Sequence, residues 1–113
     1  MRRSESKFVS EPAAGVASRL GAAVRAARLA RNATQESMAE RARMSKLTWL
    51  KVEKGDVSVA MGTWLSALEQ TGLLDRLDAL TNPADDHLGE ALRRQQLRAR
   101  ARPAKAKDGE FDF

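Results

Sequence analysis

The sequence predicts an all-α protein, a five-helix domain followed by a flexible basic C-terminal extension. Three observations carry that expectation. Apolar residues recur at helical spacing, as in Leu20, Val24 and Ala27 at i, i+4 and i+7. Capping residues stand at Thr34, Ser45 and Thr63, ahead of short apolar-periodic runs. No segment carries the alternation and turn chemistry of a β-hairpin. At 113 residues there is room for one domain with tails. With three Phe, two Trp and no Tyr, its core must be built from Leu, Val, Ala and Met, which suits thin helices packed closely.

Taken in order, residues 1–15 read as a mobile polar arm ending in Pro12-Ala13-Ala14. The domain spans 16–81. Its first helix runs from Ser18 to Arg31, with Arg19, Arg25 and Arg28 on the face opposite Leu20 and Val24, and Asn32 at its end. Thr34 caps a second helix of about two turns that buries Met38, Ala39 and Ala42. A tight connection at Arg43-Met44 leads to a second cap, Ser45. The third helix then runs to Gly55 with Trp49 and Val52 inward. After a loop at 56–60, Thr63 caps a fourth helix with Trp64, Leu65 and Leu68 inward, and a short fifth helix spans about Leu74 to Leu80. Asn82-Pro83 stops it. The extension, 82–113, holds one short amphipathic segment around Leu88, Ala91 and Leu92, weakened by Gly89. A basic run from Arg93 to Lys107 and the acidic, aromatic ending Glu110-Phe111-Asp112-Phe113 follow.

Charge is divided along the chain. Residues 16–56 carry nine Lys or Arg against four acids, whereas 57–81 carry one Arg against Glu69, Asp75 and Asp78. The basic half is a candidate for phosphate, with an ordinary solvated face as the plain alternative. Two short helices joined by a tight turn, the second flanked by Lys and Arg, describe a helix-turn-helix, whose second helix fits the DNA major groove.

The residues Leu20-Gly21, Arg28, Thr34-Gln35-Glu36, Met38-Ala39, Ala42, Ser45-Lys46, Thr48 and Val52-Glu53-Lys54-Gly55 resemble the phage-repressor (Xre/Cro) helix-turn-helix family over about residues 18–81. A shorter stretch, Val52-Glu53-Lys54-Gly55-Asp56 with Val59-Ala60-Met61-Gly62-Thr63-Trp64, is similar to HipB-like antitoxins encoded beside HipA-type kinases. So is Asp86-His87-Leu88-Gly89 with Leu92. The resemblance implies a phage-repressor-like domain that represses transcription, binds a double-stranded DNA operator as a homodimer and holds a HipA-type kinase toxin. A stand-alone regulator of the same family is the alternative. By resemblance, Gln35 would meet a phosphate or base edge. Ser45 would cap the recognition helix and donate to phosphate. Lys46, Leu47 and Lys51 would face base edges, with Thr48 near the backbone or a thymine methyl and Arg43 and Lys54 on phosphate. Leu47 stands where a polar residue is usual, and an inward orientation is its alternative. Arg28 and Glu53 would form a structural ion pair.

Four leucines in the last short helix, Leu73, Leu74, Leu77 and Leu80, exceed what it can hide, which predicts a dimer seam. Trp49 and Trp64 read as core rather than as base-stacking platforms, and Met38, Met44 and Met61 as filler rather than a cofactor box. His87, the sole histidine, has Asp85, Asp86 and Glu90 nearby, but one imidazole in a Pro-adjacent loop is a poor metal site. No nucleophile–base grouping or phosphate-binding Gly-rich loop is present, so neither catalysis nor a cofactor is expected. The absence of cysteine, of a membrane-length apolar run and of a secretory signal leads to an expected cytoplasmic location.

Overall fold

A computed structural model of the chain describes residues 8–101, and among them every regular element is helical. The order is α1 (Glu11–Ala30), α2 (Gln35–Arg41), α3 (Lys46–Glu53), α4 (Met61–Gln70), α5 (Leu74–Asp78) and α6 (His87–Ala101), with short 3-10 turns at Ala79–Thr81 and Pro83–Asp85. The chain divides into two compact units, one ending at Leu77 and one beginning at Asp78.

In the first unit, α3 packs on both α1 and α2, and α4 closes the bundle against α2 and α3. The core consists of Val24, Met38, Ala39, Ala42, Trp49, Val52, Ala67 and Leu68, with Leu20, Met44, Trp64, Leu73, Leu74 and Leu77 half-buried around it. Trp49 is fully buried, which rules out base stacking by that ring and makes it the largest side chain of the core. Small residues set the spacing between helices. A Cβ on Gly21 of α1 would lie 2.5 Å from the Val52 carbonyl oxygen. One on Gly55, where φ is +75°, would lie 2.6 Å from the Ala17 carbonyl oxygen. The two backbones therefore touch, and no larger residue fits at either place.

Caps explain where the helices begin. Ser45 Oγ accepts the Thr48 amide at 3.1 Å and Thr34 Oγ1 that of Ser37 at 3.0 Å. Two starts differ from the sequence expectation. The first helix begins at Glu11 rather than Ser18, because Ser10 accepts the Ala13 amide and Pro12 sits in the first turn, where its missing N–H costs nothing. Residues 11–15, expected in an arm, are helical. The fourth begins at Met61, ahead of Thr63, with Ala60 as an N-cap that offers no side-chain acceptor.

The helix ends repeat one device. After α1, α2, α3 and α4 a residue at positive φ, respectively Asn32, Arg43, Gly55 and Gly72, reverses the chain. In each case paired bonds return to the last turn. For α2 these are Arg43 N–H to the Glu40 carbonyl at 3.1 Å and Met44 N–H to that of Ala39 at 3.0 Å. Ser66 Oγ adds a bond at 2.9 Å to the Ala42 carbonyl, tying α4 to the same turn. Arg43, at φ 62°, occupies a left-handed position where a Cβ is costly.

In the second unit, Asp86 Oδ1 accepts the Gly89 amide at 3.0 Å and starts α6, which runs for 15 residues. The short segment expected there is thus a full helix that takes in Arg93, Arg94, Arg98 and Arg100 of the basic run. The remainder of that run and the ending Glu110-Phe111-Asp112-Phe113 lie outside the described residues.

Replacing Arg43 with Gly is expected to stabilise the protein by about 1 kcal/mol, since a strained backbone position costs on that order. Thermal melts of Arg43→Gly and Arg43→Ala separate this from a charge effect. Only the glycine variant should gain in Tm, and an equal gain in both would contradict the account.

Candidate functional site

The first unit is tied together behind α3 by one carboxylate. Glu53, in the last turn of α3, is buried and receives four donors. Arg28 of α1 contributes Nε at 2.6 Å and Nη2 at 3.2 Å, a forked ion pair. Gln35, the first residue of α2, gives Nε2 at 3.0 Å, and Trp49, one turn earlier on α3, gives its indole N–H. Arg28 also donates from Nη1 to the Ala33 carbonyl at 2.9 Å, holding the α1–α2 turn. Burial works to raise the Glu53 pKa. The hydrogen bonds from Arg28, Gln35 and Trp49, with the Arg28 charge, outweigh it and hold the carboxyl below the ordinary glutamate value.

With Trp49, Val52 and Glu53 facing the core, helical geometry turns the opposite side of α3 to solvent. Leu47, Lys51 and Lys54 share that side, Lys46 stands at its flank in the first turn, and all four are exposed. Leu47 is 63% exposed, so it faces outward and not into the core. Arg43, in the turn before α3, is exposed as well. Ser45 spends its hydroxyl locally, accepting the Thr48 amide and donating to Thr48 Oγ1 at 2.9 Å, while Thr48 is half-buried. Gln35 is half-buried and turns its amide nitrogen toward Glu53.

Beside this face lies an open groove between the end of α1 and the starts of α2 and α3, with Arg25, Asn32, Thr34 and Lys46 among its lining residues. Sequence placed Arg25 on the basic face of the first helix and Asn32 at its end, but gave neither a binding role. Arg25 stands one turn before Arg28 on α1, and that spacing was the available signal. The fourth donor to Glu53 was also missed, although Trp49 and Glu53 stand at i and i+4. Past α3, Asp56 Oδ1 accepts both the hydroxyl and the amide of Ser58, at 2.7 and 2.8 Å, and these bonds hold its carboxyl below the usual aspartate range.

Of the leucines counted as surplus, Leu73, Leu74 and Leu77 are half-buried against the core, whereas Leu80 is 74% exposed. Among the described residues no cluster of His, Asp or Glu has metal-ligand geometry, and no helix is long and apolar enough to cross a membrane.

Comparison with known families gives one match, the helix-turn-helix domain, over residues 19–80, more than half of the chain. No curated protein and no solved structure matches it.

Glu53→Gln is expected to destabilise the first unit by about 3–5 kcal/mol, because the Arg28 guanidinium is left buried without its counter-charge. The pH dependence follows from the depressed pKa. The Glu53 contribution is fully present above the ordinary glutamate value of 4.5 and is lost as pH falls through the lower folded value. Denaturant melts of the wild type from pH 7 down to pH 3 should therefore show stability declining below about 4.5. The Glu53→Gln protein should decline less. Parallel curves would show that Glu53 is not the responsible group.

Proposed function

Because the chain belongs to the helix-turn-helix domain family, we propose that it is a sequence-specific transcriptional repressor that reads operator DNA with the outward side of α3. The observation that carries this reading is the pairing of faces on one short helix. Trp49, Val52 and Glu53 fix α3 from behind, and Lys46, Leu47, Lys51 and Lys54 are presented together to solvent. A lysine ammonium donates to guanine O6 and N7 or to a phosphate, and an exposed leucine has one productive role at a base edge, apolar contact with a thymine methyl. Arg43 and Lys54, at the two ends of α3, suit the phosphates that flank the groove.

Ser45 acts in this scheme by fixing the first turn of α3. Thr48 joins it there, and Gln35 acts through Glu53 as a positioning residue. Eight helical residues offer few base contacts, so the proposal includes a homodimer on two half-sites about one helical turn apart, with exposed Leu80 among the seam residues.

A narrower reading makes the protein the autoregulating antitoxin of a HipA-type kinase. The similarity of residues 52–64 and 86–92 to HipB-like proteins favours it. Co-expression with a kinase encoded beside it tests that reading, which fails if the two do not co-purify.

Lys46→Ala and Lys51→Ala are each expected to weaken binding to the protein's own upstream DNA by about tenfold or more, as loss of a base-edge contact costs about 1–3 kcal/mol. Both side chains are exposed, so stability should be unchanged. Gel shifts against upstream and random duplexes provide the readout. Unchanged affinity for upstream DNA in the double variant would rule out α3 as the reading element.

A further inference from the structure

The second unit holds a charge pattern that the helix-turn-helix does not use. On α6, Arg93, Arg94, Arg98 and Arg100 are exposed and fall on the side of the helix opposite the line of Leu88, Leu92 and Ala99. Among the described residues only Arg93 has an acidic partner, Glu90 at 3.2 Å, an exposed pair worth little. Within the run itself the sequence places no acid: from Ala91 to Lys107 there are seven basic residues, with Asp85 and Asp86 before it and Asp108, Glu110 and Asp112 after it. Two cations in the last turn would satisfy the helix dipole, which leaves Arg93 and Arg94 unexplained by helix stability.

We infer that α6 is a second DNA-binding element, one that grips the phosphate backbone of duplex DNA through these four arginines without reading sequence. Charge complementarity selects the occupant. The basic side carries no aromatic residue and a single leucine, Leu97, so it lacks the buried anchors on which a protein partner's affinity depends, whereas a phosphate backbone asks only for spaced cations. Arginine suits that role through its forked donors. The choice of DNA as the polyanion rests on the function proposed above. The consequence is specific: α6 adds affinity equally to all sequences and steepens the salt dependence, while α3 discriminates among them.

The test is fluorescence anisotropy of the full chain on a 30-bp random-sequence duplex between 50 and 200 mM KCl. The fourfold variant R93Q/R94Q/R98Q/R100Q keeps helix propensity, since Gln and Arg are similar formers, and circular dichroism verifies its helix content. Each phosphate contact contributes about 0.9 to the slope of log K against log salt. The variant's slope should therefore be shallower by 3 to 4, a difference of about 100-fold across this salt range. The fourfold Arg→Lys variant, which keeps the charge, should retain the wild-type slope. An identical slope in wild type and the glutamine variant overturns the inference, as does a lysine variant that behaves like the glutamine one. K46A/K51A separates the two readings. If it loses upstream discrimination while the arginine set changes nothing, α3 reads DNA and the α6 inference falls. If upstream discrimination survives K46A/K51A while the glutamine variant loses slope, the α6 inference stands and the α3 reading falls.

Discussion

The first unit depends on a single buried carboxylate. Glu53 collects the guanidinium of α1, the amide that opens α2 and the indole of α3 itself, so α1 and the two helices of the helix-turn-helix are fixed to one point. A buried ion is costly unless every lone pair is used, and here four donors converge on two oxygens. The arrangement contributes geometry more than net stability: rotating α3 by one residue would move Glu53 away from Arg28 and carry Leu47 and Lys51 off the solvent side. Backbone contact at Gly21 and Gly55 sets the distance between the same two helices, leaving α3 little freedom in rotation or in translation.

That constraint makes a short helix useful. Eight residues in isolation would not hold a helix, since helices below about 12 residues are marginal in water. Its Ser45 cap, the left-handed turn at Arg43 before it and the returning bonds at Gly55 define its ends, and Trp49 and Val52 anchor its back. A rigid rod with a fixed outward face gives up little entropy on docking, which is how a small contact set can discriminate.

Much of this was legible in sequence, and for identifiable reasons. Caps with a side-chain oxygen announced α2 and α3, and inward Trp49 and Val52 fixed the phase of the latter. The start of α1 was hidden because Pro12-Ala13-Ala14 was read as the end of a polar arm, although Ser10 and Glu11 place Pro12 in a first turn. The start of α4 was hidden because Ala60 caps through backbone conformation alone. The Gln35 rotamer was not legible: its amide reaches phosphate or Glu53 with equal ease on paper, and only the position of the α3 carboxylate decides. The half-burial of Leu73, Leu74 and Leu77 was not legible, because how many leucines a core takes in depends on the volume its other side chains leave. The full length of α6 was missed because Gly89 was weighed without the Asp86 cap that offsets it.

The central claim is that α3 meets DNA with its outer side while Glu53 continues to hold its inner side. Titration of the isotopically labelled full chain with its upstream duplex, followed by amide and indole NMR resonances, tests this directly. The account predicts saturable shifts concentrated from Arg43 to Lys54, with the Trp49 indole N–H resonance, assigned from Trp49→Phe, remaining in place. Shifts confined to other surfaces, or loss of the Trp49 indole resonance as DNA is added, would contradict it.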